Sequence, residues 1–222
     1  MKIQKYALPF LLAFLIFISG LYFDSLLNRV KTSKIEQSVE DIKNSLVNVE
    51  LEFLFMDVMK EQLSCNYFRA ELSKMLKEID DLMSKLERYE ENKGIDTTGF
   101  IEAKKSYTLS LVKMWLIFEK VKKICNENYT TVLYFYTKDC GNCPLQGFYL
   151  TYYKKIEPDK IMVFALEKDL NLQIIDSMIY NYNITIYPTL VINGKNKYEG
   201  FKERDELAEI FCNETNKTLV FC

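Results

Sequence analysis

The chain has 222 residues, 49% hydrophobic, 14% aromatic and 27% charged, with only 7 glycines and 4 prolines: enough for one ordinary globular domain plus an appendage, and not the composition of a disordered chain. A formal net charge of -2, with acids and bases interspersed, offers no basic patch for nucleic acid. The absence of histidine excludes Ser/His/Asp triads, Cys/His nucleophile pairs, histidine-ligated metals and c-type haem attachment, which leaves the six cysteines as the residues of chemical interest.

After Lys2 and Lys5, residues Ala7 to Phe23 form an uncharged stretch interrupted only by Pro9, Ser19 and Gly20. As a helix it would span roughly 25 Å, the short end of a bilayer crossing. The alternative is a cleaved signal peptide, but Ile18-Ser19-Gly20 is a poor small-x-small site, so residues 1–29 are read as a retained signal anchor. Basic residues flank both sides, and the cysteines decide the orientation: N-terminus in the cytoplasm, the remainder in an oxidising exterior. Asn-x-Thr triplets at Asn128, Asn183, Asn213 and Asn216 are compatible with export.

Residues 30–127 read as a helical stalk. Ile35, Val39, Ile42, Leu46, Val49, Phe53, Met56 and Leu63 follow heptad spacing, interrupted at Lys60. A second series, Phe68, Leu72, Met75, Ile79, Leu82, Leu86 and Tyr89, is shifted by one residue, which predicts a break near Ser64 to Asn66. Gly94 stops that helix, Asp96 to Thr98 supply capping oxygens, and a third series runs Phe100, Tyr107, Leu111, Met114, Phe118, Val121 and Cys125. Three stripes need one another, so a helical hairpin or three-helix bundle is expected, with core packing or a partner-binding coiled coil as the two uses of the stripes. Around a turn centred on Ile95, Cys65 and Cys125 are equidistant. A disulfide between them would close a loop of about 60 residues and stabilise the fold by roughly 3 to 5 kcal/mol; two buried free thiols are the alternative.

From Thr130 the pattern changes to short apolar runs. Thr131 to Tyr136 reads as a buried strand, Cys140-Gly141-Asn142-Cys143 follows a short loop, and Pro144 to Lys155 reads as a helix entered through proline. Ile161 to Leu166 is a second strand, Leu170 to Tyr182 a helix, and Thr185 to Asn193 a third strand. Asn193-Gly194 turns a hairpin into Tyr198 to Phe201, and Glu203 to Phe211 is a last helix. This alternation predicts an α/β fold, a central mixed sheet covered by helices on both faces, over residues 128–222 with a C-terminal tail.

The ordered combination of strand, Cys-x-x-Cys, helix, strand, helix, then a strand opened by Tyr187-Pro188-Thr189-Leu190 and Gly200 before the final helix, resembles the thioredoxin superfamily over about residues 128–212. A zinc site would need a second ligand pair that this histidine-free chain does not obviously supply. The resemblance implies a cis bond at Pro188 beside the active cysteines, with the backbone of Tyr187 pairing with a substrate chain. A cysteine at a helix N-terminus has its thiolate stabilised, so Cys140 is the expected nucleophile and Cys143, one turn inward, the resolving thiol.

The departures concern the neighbours. Asp139 stands where the family has tryptophan and should oppose thiolate formation, while Lys138 should favour it. Tyr134 occupies the position of the family's buried acid, so no carboxylate is available at that place to relay a proton. Gly141-Asn142 matches no familiar pair, which leaves oxidase, reductase and isomerase open. Cys212 and Cys222 are expected to bridge, with a free or intermolecular Cys222 as the alternative. The resulting expectation is a membrane-anchored, extracytoplasmic thiol-disulfide oxidoreductase with no dissociable cofactor and no metal. It would act on exported proteins bearing thiols or disulfides and be reset by a separate redox partner. The rival is a non-catalytic, membrane-tethered binding or assembly protein that uses the same scaffold and a coiled-coil stalk.

Overall fold

The computed structural model describes residues 65–91, 97–215 and 219–222, together with residues 14–20, 22, 33, 37, 39–44 and 46–55. Most of the Ala7 to Phe23 stretch is covered only by the helical, exposed residues 14–20 and 22; its remainder lies outside the described residues. No helix among the described residues is long and apolar enough to cross a membrane.

Residues 39–44 and 46–55 are helical, followed by helix α1, Cys65–Glu91, and helix α2, Thr97–Cys125. Among the described residues the apolar stripes face inward: Leu46, Val49 and Phe53 from the first, Phe68, Met75 and Leu82 from α1, and Leu111, Met114 and Phe118 from α2 are buried, while Ile35, Met56, Leu63 and the Tyr89 side chain lie outside the description. Phe53 stacks on Phe68 with ring centroids 4.5 Å apart, and Lys120 of α2 lies 4.3 Å above the Phe53 ring, so the three helical segments meet around one aromatic contact. Cys65 and Cys125, at the first residue of α1 and the last of α2, are joined by a disulfide with Cα atoms 5.7 Å apart. Helix α1 is described from Cys65, and Asn66 lies within it; Ser64, where the expected break begins, and Gly94 lie outside the described residues.

Helix α2 has a second apolar face. Thr108 and Ser110 are buried within it, and each satisfies its hydroxyl on a carbonyl four residues back, Lys104 and Ser106, so these two donors are paired inside the core. On the sheet side Phe118 meets Phe164 and Tyr129 edge to face, at 5.9 and 5.1 Å. The helices and the sheet therefore share one apolar core.

The sheet contains β1 (Thr130–Tyr136), β2 (Ile161–Glu167), β3 (Thr189–Ile192) and β4 (Asn196–Glu199) in the order β2-β1-β3-β4. Strand β1 is parallel to β2 and antiparallel to β3, which is antiparallel to β4: a mixed sheet. Period-two alternation sorts its side chains. Val132, Tyr134, Leu190 and Ile192 pack against Leu150 and Tyr153 of α3 (Cys143–Ile156) and Leu207 and Phe211 of α5 (Arg204–Glu214). Leu133, Phe135, Met162, Phe164 and Val191 face α2 and Ile175 and Met178 of α4 (Gln173–Asn181). Each such large apolar side chain taken fully out of water contributes about 1.5 to 3 kcal/mol.

Several bounds differ from the sequence expectation. Where one helix was expected over Leu170 to Tyr182, a 3-10 turn, Lys168–Leu170, precedes α4, because Asn171 adopts a left-handed conformation (φ 51°) that ends the turn. Strand β3 starts at Thr189 rather than Thr185, since Pro188 has no N–H to enter the ladder. Strand β4 occupies Asn196–Glu199 rather than Tyr198 to Phe201 and ends at Gly200, whose φ of 74° suits only glycine without strain. The β3–β4 turn has positive φ at both Asn193 (53°) and Gly194 (64°), the hairpin geometry that matches the strand twist.

Beyond α5, Cys212 is disulfide-bonded to Cys222 across ten residues, and Phe221 packs on Tyr153 at 4.8 Å. Buried Glu157 accepts the Val220 backbone N–H, which ties the tail to the end of α3.

Candidate active site at the carboxyl end of strand β1

Beyond Tyr136 the chain leaves the sheet and turns through Thr137 to Asn142, with the Cys140 N–H donating to the Thr137 carbonyl at 3.5 Å and the Cys143 N–H to the Cys140 carbonyl at 3.2 Å. Cys140 and Cys143 are joined by a disulfide, Cα atoms 5.4 Å apart. Their environments differ: Cys140 is half-buried, whereas Cys143 is 3% exposed. Gly141 and Asn142 between them are exposed, as are Lys138 and Asp139.

Helix α3 starts at Cys143, with Pro144 in its first turn and Asn142 at the cap position making no side-chain capping bond. No acidic residue lies in that turn. The positive end of the helix macrodipole thus lies at the cysteines without a carboxylate in that turn to neutralise it, an arrangement that favours thiolate over thiol.

Register brings the Tyr187-Pro188 segment to the same end of the sheet. Thr189 pairs with Phe135 near the end of β1, so the residues just before Thr189 lie beside the chain leaving β1. The Tyr187-Pro188 bond is cis; Pro188 is buried, Tyr187 half-buried and Ile186 52% exposed. Burial, followed by Asp169 and Asp176, raises the Tyr187 phenol above its usual range. Lys168 stands 5.5 Å over its ring.

Two further groups at this end were not singled out by sequence reasoning. Glu167, the last residue of β2, is 1% exposed. Its Oε2 is 2.7 Å from Lys104 Nζ of α2 and accepts the Tyr136 hydroxyl at 3.2 Å. Lys138 Nζ stands 3.4 Å from Oε1, an ion-pair distance without hydrogen-bond geometry. Tyr134 pairs with Ala165, so this buried carboxylate lies two residues further along on the strand beside Tyr134. Its signal in the sequence is one acid closing an otherwise apolar run, IMVFALE. The second group is Gln146, fully buried one turn into α3. Its signal is the spacing: Cys143, Gln146, Leu150 and Tyr153 are the buried residues of that helix.

The other cysteines are not part of this assembly. Cys125 precedes β1 and Cys65 is bonded to it, which places that bridge beyond the opposite end of the strand from Cys140; Cys212 and Cys222 close the tail.

No protein-family model and no curated protein matches the chain. Among solved structures it is similar to thioredoxin-2, described as a component of the malaria parasite protein secretion machinery, at 22% identity with a TM-score of 0.34, over 39% of this chain and 84% of that one. It is also similar to chloroplastic thioredoxin z, at 21% identity and a TM-score of 0.35 over 44% and 88% of the two chains, and to Fasciola hepatica thioredoxin, at 22% identity and 0.35 over 44% and 90%. These neighbours are thioredoxins, and the likeness covers less than half of the present chain.

Proposed function

We propose that the chain is a thiol-disulfide oxidoreductase of the thioredoxin superfamily that works through Cys140 and Cys143. One observation carries this reading: a half-exposed and a buried cysteine share the N-terminus of a 14-residue helix whose first turn holds no acid. The pair lies at the sheet end where Tyr187 and Pro188 enter β3.

With the pair reduced, the Cys140 thiolate attacks one sulfur of a substrate disulfide. A Cys140–substrate disulfide forms, the substrate S–S bond breaks, and its other sulfur leaves as a thiolate that takes a proton from water. Cys143, having lost its proton, then attacks the Cys140 sulfur, and the second substrate sulfur leaves in the same way. Two electrons pass to the substrate and the Cys140–Cys143 disulfide closes. Run backwards, the same steps oxidise a substrate dithiol. A separate dithiol or disulfide partner must reset the pair in either direction.

Substrates in this reading are exported proteins, reached as extended segments. Leu145 at 43%, Phe148 at 65% and Ile186 at 52% exposure leave apolar surface beside the cysteines for such a segment. Residues 7–23 would hold the chain in the membrane with the sheet outside, consistent with a fold that carries three disulfides. Carbonate extraction and labelling of intact cells with a membrane-impermeant thiol reagent after mild reduction test that placement; a soluble or unlabelled chain would refute it.

The chemical test is equilibration of the full chain in glutathione buffers, read by alkylation and mass. A potential between about -120 and -270 mV is expected; one below about -300 mV would make the bridge structural and favour a non-catalytic tethering scaffold. Cys143→Ser should accumulate mixed disulfides and Cys140→Ser should form none.

A further inference from the structure

Helix α3 buries one stripe against the sheet, Cys143, Gln146, Leu150 and Tyr153, and only Gln146 brings an amide into it. The side chain is 0% exposed. Its Oε1 accepts the Lys202 backbone N–H at 2.7 Å. That contact fixes which way the amide lies, since a backbone N–H can only meet the oxygen. The Nε2 amino group is thereby turned away from Lys202, and it has no hydrogen-bond partner. A buried donor left unpaired is destabilising, so a fold that retains one calls for an acceptor in some other state of the protein.

Helix geometry indicates where that acceptor lies. Residues three apart are neighbours on one helix face, and side chains lean toward the helix N-terminus, so Gln146 covers the turn that carries Cys143. Cys143 is 3% exposed and has little access to water. In the disulfide its sulfur is shared with Cys140 and carries no charge. Once the disulfide opens, the sulfur becomes a buried thiol or thiolate, and a thiolate shielded from water requires a hydrogen-bond donor from the protein.

We propose that the Gln146 Nε2 amino group is the hydrogen-bond donor for the Cys143 sulfur in the reduced protein, stabilising its thiolate and so promoting closure of the mixed disulfide. The inference rests on the oxidoreductase reading for its functional meaning, but the contact itself does not. The same amide also links the buried cysteine to the Gly200–Glu203 loop through Lys202, so one side chain joins the reacting sulfur to the segment that follows β4.

The experiment uses the full chain in detergent, labelled with 15N on its five glutamines, with a Gln146→Met sample to assign the resonance. Spectra are compared between the disulfide form and protein fully reduced by excess dithiothreitol, from about pH 5 to about pH 9. One Gln146 amide proton should move downfield on reduction, with a pH dependence that follows the Cys143 thiolate. In parallel, Cys143 alkylation against pH is compared between Cys140→Ser and Cys140→Ser/Gln146→Met. The loss of a donor to a charged group predicts about a tenfold smaller thiolate fraction at neutral pH in the double variant. A merely structural role would lower the melting temperature without moving either readout. Gln146 resonances identical in both redox forms across the pH range overturn the inference. Because dithiothreitol reduces the pair regardless of its potential, the two readings separate. A pair that exchanges with glutathione while the amide stays still removes only this inference, and an amide that moves in a pair resistant to glutathione removes only the oxidoreductase reading.

Discussion

The phenol of Tyr134 donates a 2.6 Å hydrogen bond to the backbone carbonyl of Cys143. Tyr134 is 5% exposed, and its ring stacks on Tyr136 with centroids 5.2 Å apart. The central strand therefore holds the first turn of α3 directly, and the position of Cys143 is set by the Tyr134 phenol. Tyr134→Phe keeps the ring and removes the donor, and should destabilise the protein by about 1 to 2 kcal/mol in urea unfolding, with alkylation of the reduced Cys143 becoming faster as the turn loosens. An unchanged midpoint and unchanged alkylation would mean that packing alone holds the turn.

Glu167 links three parts of the chain, Lys104 of α2, Lys138 of the cysteine loop and Tyr136 of β1. Removing one partner of a buried pair leaves the other charge uncompensated. Glu167→Ala should lose about 3 kcal/mol of stability, and combining it with Lys104→Met should recover part of that loss, which denaturant unfolding of the four proteins in the cycle measures. The same substitution frees Lys138 from its ion pair two residues before Cys140, so the thiolate fraction of reduced Cys140 should rise in an alkylation profile against pH.

The Cys65–Cys125 bridge closes a loop of 60 residues. On loop-closure entropy its removal should cost about 4 kcal/mol. Replacing both cysteines by serine should lower the urea midpoint accordingly while leaving the Cys140–Cys143 potential unchanged, because the bridge is at the far end of β1. A shifted potential would show that the helices and the cysteine loop are coupled.

Alkaline pH acts on a group of buried phenols. Burial raises Tyr129, Tyr134, Tyr153, Tyr182 and Tyr187 above their ordinary value, and burial with the Glu214 hydrogen bond pushes Tyr198 up to about 12. A folded-state pKa above the unfolded value of about 10 means that the native state keeps its protons longer, so this contribution to stability is complete below about pH 10 and is lost as pH rises through the folded values. Lys122 acts in the opposite sense. Burial lowers its ammonium, so between its folded value and about 10.4 the unfolded chain holds more protons and stability gains with pH. The phenols outnumber it, and the unfolding midpoint should fall steeply above about pH 10, with phenolate absorbance from the most buried tyrosines appearing only as the chain unfolds.

Much of this was legible in the sequence because each signal was local. The heptad-spaced residues from Val39 to Phe53 and from Phe68 to Leu86 are buried at the expected positions, and the apolar runs at Thr131 and Ile161 are the two parallel strands. Equidistance about one turn was enough to pair Cys65 with Cys125, since two antiparallel helices convert sequence distance into height. What escaped was relational. The run Leu116-Ile117-Phe118 shows α2 to be apolar on more than one side, yet only the structure reveals that the second side belongs to the sheet. Glu167 reads as the polite end of a strand until Lys104, far upstream, is brought against it. Asn171 divides a continuous helical pattern by one backbone angle, which no hydrophobic period reports.

The merging of the helical stripes with the sheet face that carries Leu133 and Phe164 changes what the helices are mechanically. Phe118 against Phe164 binds α2 to the sheet, and the ion pair between Asp80 of α1 and Lys154 of α3 binds α1 to the helix that carries Cys143. A leash would let the cysteine pair tumble freely around its point of attachment. A bolted handle does not: any tilt of the helices carries the Cys140–Cys143 disulfide with it.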